Sequence, residues 1–489
     1  MILSTSRILS KLPERDILLS LARFTANENA KLYLVGGTIR DALLEKHIDD
    51  LDFAVSVDAI DFAKSFARML RVKVIVLDEE QKTARLIFHN GDLYMDFSSI
   101  RGKDIVDDLL ARDLTINSMA VDFNQLMKSD SVELLDPYNG IDDLNNRIIR
   151  IPDSQIILDD PLRMLRAYRF FATLNFAIHE NTTSFIRNFS ELLKLSSVER
   201  IRDELYKILE VSDSVKCFKE MDNVNLLEQI FPEIIPMKGM AQNEYHHLDV
   251  WGHSMLALDF FERETIPNSL NKHLSEIEGY LNFEIVKGRI RMSLLKLAIL
   301  LHDIGKPSVR TIDKKDRIRF FDHHCKGAEI ALNIGIRLRL ANREALSMSK
   351  IIEYHMYPLM LCSQKRNVSQ RNILRFVQRT GSDCLAVLLV SFADLQATQG
   401  PWRSDYDLKN MSRLISAIAD TYFRELESPR AQLITGDELM RDFGLSQGPA
   451  IGKIISSIKE AQINGVIKDR REAINLVRKI LINSGKNTK

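Results

Sequence analysis

The chain predicts an α+β N-terminal part followed by an all-helical remainder, and two observations carry that prediction. Up to about residue 150, strand-like and helix-like apolar patterns alternate, with short runs such as VKVIVLD (72–78), ARLIFHN (84–90) and LYMDFSS (93–99). From about residue 155 strand signals nearly vanish and helical periodicity continues to the end, broken at Pro232, Pro236, Pro267, Pro307, Pro358, Pro401, Pro429 and Pro449. At 489 residues the chain is too long for one core, so two to four domains are expected, and the change near residue 150 is the clearest boundary.

Composition sets bounds on function. Apolar residues at 45% and charged residues at 27% are those of a soluble globular protein. Lys+Arg and Asp+Glu both number 67, so any nucleic-acid surface is a local patch balanced elsewhere. The four cysteines (Cys217, Cys325, Cys362, Cys384) are scattered without a CxxC, which argues against a disulfide framework or a thiolate zinc site and fits a reducing cytosol. The N-terminus has no apolar core of a signal peptide, and the longest apolar runs, LAILL (297–301) and LAVLLV (385–390), are far short of a membrane span. A cytoplasmic protein with no membrane partner is expected.

In chain order, Ile8–Phe24 reads as an amphipathic helix with a break or fresh start at Pro13. LVGGTIRDALLEKHIDDLDFAV (34–55) follows. A strand ends at Gly36-Gly37, a helix runs over Thr38–Leu44, and a second strand carries Asp50 and Asp52. Two glycines let a backbone approach a phosphate closely. Residues i and i+2 of a strand share a face, so Asp50 and Asp52 converge, and paired carboxylates beside phosphates suit Mg²⁺. The stretch therefore reads as a metal-and-nucleoside-triphosphate site. Ile60–Met69 is a helix, and Asn90-Gly91 joins two strands into a hairpin. Asp96, in the second of them, either completes a carboxylate cluster or faces outward beside the hairpin.

LLARDLTINSMAVD (109–122) places Arg112 and Asp113 about one turn from Asn117. Arg112 suits a phosphate and Asp113 a ribose hydroxyl, the alternative being a surface salt bridge with an ordinary cap. In LDDPLRMLRAYRFFATLNF (158–176), Asp160 and Arg163 are neighbours on one helix face. They offer acceptors and forked donors able to read the edge of a nucleobase, or else form an N-cap with a first-turn Arg. Arg166 and Arg169 continue the stripe, lining a nucleotide pocket or pairing with acids. On SSVERIRDELYKIL (196–209), Arg200, Arg202 and Lys207 face RNA or solvent.

These motifs together resemble those of the class II tRNA nucleotidyltransferase and bacterial poly(A) polymerase family, of the polymerase β superfamily. GGxxRDxLL followed by DxD looks like its first signature, with Glu45 where Gly is usual. Arg112, Asp113 and Asn117 match RRDxxINA, with Ala111 and Ser118 as departures. Asp136, Gly140, Asp143 and Leu144 match DPxxGxxDL, a structural turn, and Asp160 and Arg163 match EDxxR, with Asp159 in place of Glu. The resemblance implies an α+β nucleotidyltransferase (polymerase β-like) head over 1–150. All-α parts follow: a nucleobase- and RNA-binding neck over 151–240, an HD domain over 241–400 and a tRNA-binding tail over 401–489. It implies attack of the 3′ end of tRNA on CTP or ATP, with Mg²⁺ on Asp50 and Asp52 and a further metal contact from Asp96. Gly36, Gly37 and Arg40 would lie near the triphosphate, and Asp160 with Arg163 would replace a template.

A second constellation begins near residue 240. His253, His302-Asp303, His323, His355 and Asp394 occur in an order that resembles an HD-superfamily phosphohydrolase core. That resemblance maps one metal onto His253, His302, Asp303 and Asp394, and a second onto His323 and His355. Imidazole with carboxylate suits a divalent transition metal or Mg²⁺, which would generate a hydroxide for attack on a phosphate ester. A polar insertion over roughly 262–290 reads as a surface loop and helix. Basic residues at Lys453, Lys459, Lys468, Arg470 and Arg471 in the tail, and at Arg371, Arg375 and Arg379 within 366–379, are candidate tRNA contacts or solvated faces. Besides full CCA addition, the sequence leaves open CC-only, A-only or poly(A) addition, an HD phosphohydrolase with an RNA-binding head, and an RNA-binding scaffold.

Overall fold

The computed structural model describes residues 1–489 except 363–367, 403, 428–432, 464–465 and 484–489. Pro429 and the first two residues of the 366–379 basic stretch thus lie outside the described residues; Arg371, Arg375 and Arg379 fall on the helix Gln370–Thr380. Met1–Ile230 and Phe231–Lys489 form two compact units.

The first unit is built on an eight-stranded sheet. Its strands are β1 (Ile2–Ser4), β2 (Leu32–Val35), β3 (Asp50–Val55), β4 (Lys73–Asp78), β5 (Thr83–Phe88), β6 (Leu93–Ser99), β7 (Ala120–Asp122) and β8 (Ser131–Leu135). They lie in the order β1-β8-β7-β2-β3-β6-β5-β4, antiparallel except for β3 against β6. Strand alternation divides the two faces. Leu51 and Phe53 of β3 and Met95 and Phe97 of β6 are buried on one face, where Phe53 stacks on Phe97 at 5.2 Å. The helix Ala59–Leu70, capped by the Asp58 carboxylate, covers that face with Phe62 and Phe66. Asp50, Asp52 and Asp96 point to the other.

One local expectation holds and one shifts. The break expected at Pro13 separates two helices, Thr5–Leu9 and Arg15–Asn27, with Glu14 at φ +49°. The hairpin forms, but β5 ends at Phe88 because His89, at φ +49°, turns the chain and His89–Gly91 closes it as a 3₁₀ turn. Beyond β8 this unit is mostly helical. Leu162–Leu174 packs on Val198–Leu209, and a short parallel pair joins Ile148–Ile149 to Ala177–Ile178.

The second unit is helical apart from two small hairpins. Arg291–Leu301 and Cys384–Ala397 are buried nearly all round, which is why LAILL and LAVLLV read as continuous apolar runs. Val250–Arg263 and Asn342–Tyr354 pack with them, and His323–Arg337 packs on Asn342–Tyr354. The 262–290 stretch is more ordered than a surface loop. It makes the helix Leu274–Leu281 and a hairpin, Glu284–Val286 with Arg289–Ile290, and it buries Leu270, Ile277 and Leu281. The last helices, Gly436–Phe443, Pro449–Ile463 and Arg470–Asn483, share a core of their own around Leu439, Ile458 and Val477. Among the described residues no helix is long and apolar enough to cross a membrane.

Candidate active site and metal centre

Strand register brings the head carboxylates together. The parallel pairing of β3 and β6 sets Asp52 beside Asp96, and the β5–β6 pairing sets Asp96 beside Arg85. In-register neighbours share a sheet face. Asp96 is thus on the face of Asp50 and Asp52, and it is held by Arg85 through two 2.7 Å hydrogen bonds. Thr38 fixes the start of β3: its Oγ1 accepts from the Asp52 N–H at 2.7 Å and donates to the Asp50 carbonyl at 3.2 Å. Burial, opposed by Arg112 and reinforced by Asp96 and Asp50, pushes the Asp52 carboxyl up to about 6. Burial also raises Asp50, with Arg85 opposing.

The acidic face opens into a cavity of about 800 Å³ lined also by Gly36, Gly37, Arg40, Arg112, Asp113, Asn117, Arg166, Arg169 and Phe170. Gly36 sits at φ +64°, and a Cβ there would lie 2.7 Å from Arg112 Nη1, so the turn needs glycine. Arg112 is oriented by Asp108, whose Oδ2 accepts from Nε and Nη2 at 3.1 and 3.0 Å. A buried chain of hydrogen bonds runs behind. Arg40 Nη1 donates to Asn117 Oδ1 at 2.6 Å, and Asn117 Nδ2 donates to Asp113 Oδ1 at 3.0 Å. Asp113 Oδ1 also accepts from the Leu114 N–H, and Oδ2 meets Arg166 Nε at 2.7 Å and Nη2 at 2.6 Å. Those contacts fill the four acceptor positions of the carboxylate. Against the cost of burial, Arg166 and Asn117 hold the Asp113 carboxyl well below the usual range.

Arg166 and Arg169 do both of the things their spacing left open: they line the cavity and pair with acids. Arg169 Nε lies 3.2 Å from Glu204 Oε2, and Arg40, Arg166 and Arg169 all surround the Phe170 ring, Arg169 nearest at 4.1 Å. Asp160 and Arg163 line an adjoining cavity of about 660 Å³, which shares Arg112, Asp113 and Arg166 with the first. The Arg163 N–H donates to the Asp160 carbonyl at 3.1 Å, but among the described residues their side chains take other partners. Arg163 donates to the Ile156 and Ala111 carbonyls at 3.2 and 3.0 Å. Asp160 accepts from the Leu162 N–H at 3.2 Å and from both amines of Arg200 at 3.3 and 2.7 Å. The third motif is structural: Asp136 accepts from the Gly140 and Ile141 N–H groups, and a Cβ at Gly140 would strike the Thr115 carbonyl at 2.1 Å.

In the second unit the six predicted residues converge. His253 Nε2 lies 2.8 Å from Asp394 Oδ1, His302 Nε2 3.3 Å from Asp303 Oδ2, and His323 Nε2 3.4 Å from Asp303 Oδ1. Donor atoms of His302, His355 and Asp394, and of Asp303, His323 and His355, lie within 4.8 Å of one another. His302, His323 and His355 each place Nδ1 against a backbone carbonyl, of Ile299, Phe320 and Ile352, at 2.7, 2.9 and 2.6 Å. That contact selects the tautomer with its lone pair on Nε2. Those three Nε2 atoms are buried without a hydrogen-bond partner among the described residues. A cavity of about 650 Å³ adjoins the cluster and is lined by His246, Lys306, Phe320 and Trp402 among others.

Known proteins resemble this chain in both units. Residues 32–150 match the poly(A) polymerase head domain, 175–238 the probable RNA- and SrmB-binding site of polymerase A, and 268–395 the HD domain. An A-adding tRNA nucleotidyltransferase of Deinococcus radiodurans is 29% identical over 452 residues, spanning 90% of this chain and 93% of that protein. A CC-adding tRNA nucleotidyltransferase of Thermus thermophilus is 28% identical over 447 residues, 90% and 91% of the two chains. The chain thus matches the head, RNA-binding and HD models in turn and is similar over nine-tenths of its length to tRNA nucleotidyltransferases. Its fold is that of a Thermotoga maritima CCA-adding enzyme complexed with tRNA, at TM-score 0.61 and 21% identity over 98% of this chain and 99% of that one.

Both sites fit divalent cations. In the head the donors are all oxygen, and burial with mutual repulsion raises two of the carboxyls, a strain that a hard cation relieves. In the HD centre, buried imidazole nitrogens without partners beside two aspartates form a mixed donor set. Several side chains of these sites escaped the sequence reading, among them Thr38, Arg85, Phe170 and His246. Thr38 directly follows the double glycine, a usable signal. Arg85, Phe170 and His246 carried none, because Arg85 enters through cross-strand register, Phe170 reads as core, and His246 lies seven residues before the first motif histidine.

Proposed function

We propose that this chain adds C, A or both to the 3′ end of tRNA from CTP or ATP without a nucleic-acid template. One observation carries the reading: within one unit, the acidic sheet face and the Asp160–Arg163 region line adjoining cavities that share Arg112, Asp113 and Arg166. The first has the chemistry for a triphosphate and the second for a base. In the reaction the RNA 3′-hydroxyl attacks the α-phosphorus, the bond to the β-phosphate oxygen breaks and pyrophosphate leaves. Asp50 and Asp52, with Asp96 beside them, would hold two Mg²⁺ ions, which would neutralise charge on the attacking and leaving oxygens. Thr38 keeps both carboxylates aimed at one point. Gly36 and Gly37 admit the triphosphate close to the backbone, and Arg112 and Arg40 offset its charge. Asp113 anchors Arg166 and Asn117 and exchanges one of these contacts for a ribose hydroxyl. Asp160 and Arg163 address the base edge.

The chain is divided, in this reading, into a head (1–150), a neck (151–240), an HD part (241–400) and a tRNA-binding tail (401–489), and it works in the cytosol. The test uses purified protein, tRNA lacking its 3′ end and labelled CTP or ATP. Incorporation is expected to survive His302→Ala and to vanish with Asp50→Ala. Absence of incorporation, with phosphate-ester hydrolysis intact, overturns the proposal. The number and identity of nucleotides added separate full CCA, CC-only, A-only and poly(A) addition.

The buried, unpartnered Nε2 atoms of His302, His323 and His355 favour a second activity, metal-dependent phosphoester hydrolysis at the HD centre. Hydrolysis of a chromogenic phosphodiester in added Mn²⁺, Co²⁺ or Ni²⁺, abolished by Asp303→Asn, is its expected signature.

A further inference from the structure

We propose that Arg200 is the positioning residue that makes Asp160 selective for bases carrying an amino group. The inference rests on the proposed role of Asp160 at the base edge and adds a residue outside that motif. Arg200 stands forty positions away, on the helix Val198–Leu209, yet its guanidinium closes on the Asp160 carboxylate with Nη1 at 3.3 Å from Oδ1 and Nη2 at 2.7 Å from Oδ2. Oδ1 is tied a second time, by the Leu162 N–H at 3.2 Å. Among the described residues Oδ2 accepts from Arg200 alone, so one of its two acceptor positions remains for a ligand.

The chemistry of selection follows. Cytosine and adenine present an amino donor on the pairing edge where uracil and guanine present a carbonyl. A carboxylate clamped by a guanidinium is acceptor-only. It receives an amino hydrogen and repels a carbonyl oxygen. The clamp also fixes the plane of the carboxylate, whose terminal torsion is otherwise broad. Without Arg200, the Leu162 N–H holds only Oδ1, and the carboxylate can swing or take up a proton and become a donor to a carbonyl. Arg200 therefore acts through Asp160 and not on the base. Its side chain is about half exposed at 53%, against 26% for Asp160, so it can be replaced without opening a core.

The experiment measures kcat and KM for CTP, ATP, UTP and GTP on tRNA lacking its 3′ end, with wild type, Arg200→Ala, Arg200→Lys and Asp160→Ala. Arg200→Ala is expected to lower the selectivity for the cognate nucleotide over UTP or GTP by about tenfold, chiefly through KM. Arg200→Lys recovers part of that loss, because an ammonium supplies charge without the fork. A general loss of structure would lower kcat for every nucleotide and show no such rescue. Selectivity unchanged within about twofold in Arg200→Ala, with selectivity lost in Asp160→Ala, overturns the role of Arg200 and leaves the base-reading role standing. Selectivity retained in Asp160→Ala overturns both.

Discussion

The head cavity and the HD centre handle charge in opposite ways. Around the head cavity, cations and acids come in pairs: Arg85 with Asp96, Arg112 with Asp108, Arg166 with Asp113, Arg169 with Glu204 and Arg200 with Asp160. In the HD centre, the Nε2 atoms of His302, His323 and His355 are buried and lack hydrogen-bond partners among the described residues. A buried polar atom without a partner is costly, so such a cluster marks a place where an ion completes the structure. Apart from Asp50 and Asp52, whose charge awaits a cation, this paired network is complete without its ligand. It holds a fixed geometry into which a large, charged substrate can come and go. One site is thus organised before its substrate arrives, and the other is organised by what it binds.

The largest expected effect tests the chemistry of the head. Asp52→Asn should lower single-turnover nucleotide addition by about 10³-fold, on the order of 4 kcal/mol of barrier. The metal content of the HD centre should not change. A parallel loss of HD metal would break the distinction between the sites.

Next in size is metal-dependent stability. Adding Co²⁺ or Ni²⁺ to stripped protein at 100 times its dissociation constant should stabilise the fold by about 2.7 kcal/mol, read from thermal or denaturant unfolding. His355→Ala should abolish most of that gain, whereas Asp52→Asn should leave it intact. Equal protection in all three proteins would mean that the unpartnered nitrogens do not bind the ion.

A smaller effect probes the paired network. Asp113→Asn leaves Arg166 without its main acid and should cost about 2 kcal/mol, less than the ~3–5 kcal/mol of a fully buried pair because Arg166 is partly solvated. The same variant carries a pH signature. The Asp113 carboxyl is held below its unfolded value of about 3.9, so its stabilisation is present above that pH and is lost as pH falls toward the folded-state value. Denaturation midpoints of wild type should converge on those of Asp113→Asn between about pH 5 and pH 2. Parallel acid limbs would show that the pair does not titrate as described. The smallest effect is Thr38→Val, expected to cost about 1 kcal/mol of stability through its lost hydrogen bond. Its kcat should fall with little change in KM if Thr38 aims the carboxylates.

Much of the site's membership was legible in the linear sequence because it rests on short-range geometry. Asp50 and Asp52 share a face by strand alternation, Arg112 and Asp113 precede Asn117 by about a turn, and the double glycine stands where Gly36 must take φ +64°. The partners of those residues were not legible. Asp160 lies three residues from Arg163 yet bonds Arg200. The position of Asp96, inward or outward, depended on the register of β3 against β6, and a slip of one residue would have turned it to the other face. The polar 262–290 stretch read as surface because Leu270, Ile277 and Leu281 are few and spaced among charges, although each is buried.

By itself, the sequence determined which residue types stand close together along the chain and which elements carry them. Periodicity, glycine and proline are local properties, and they suffice for an α+β head, a helical remainder and two acid-bearing motifs. Only the tertiary structure decided which acid meets which cation and which imidazole nitrogens are left open. Those outcomes turn on strand register and on contacts across tens of residues. A charge buried within one motif takes whichever partner the packed fold brings within about 3 Å.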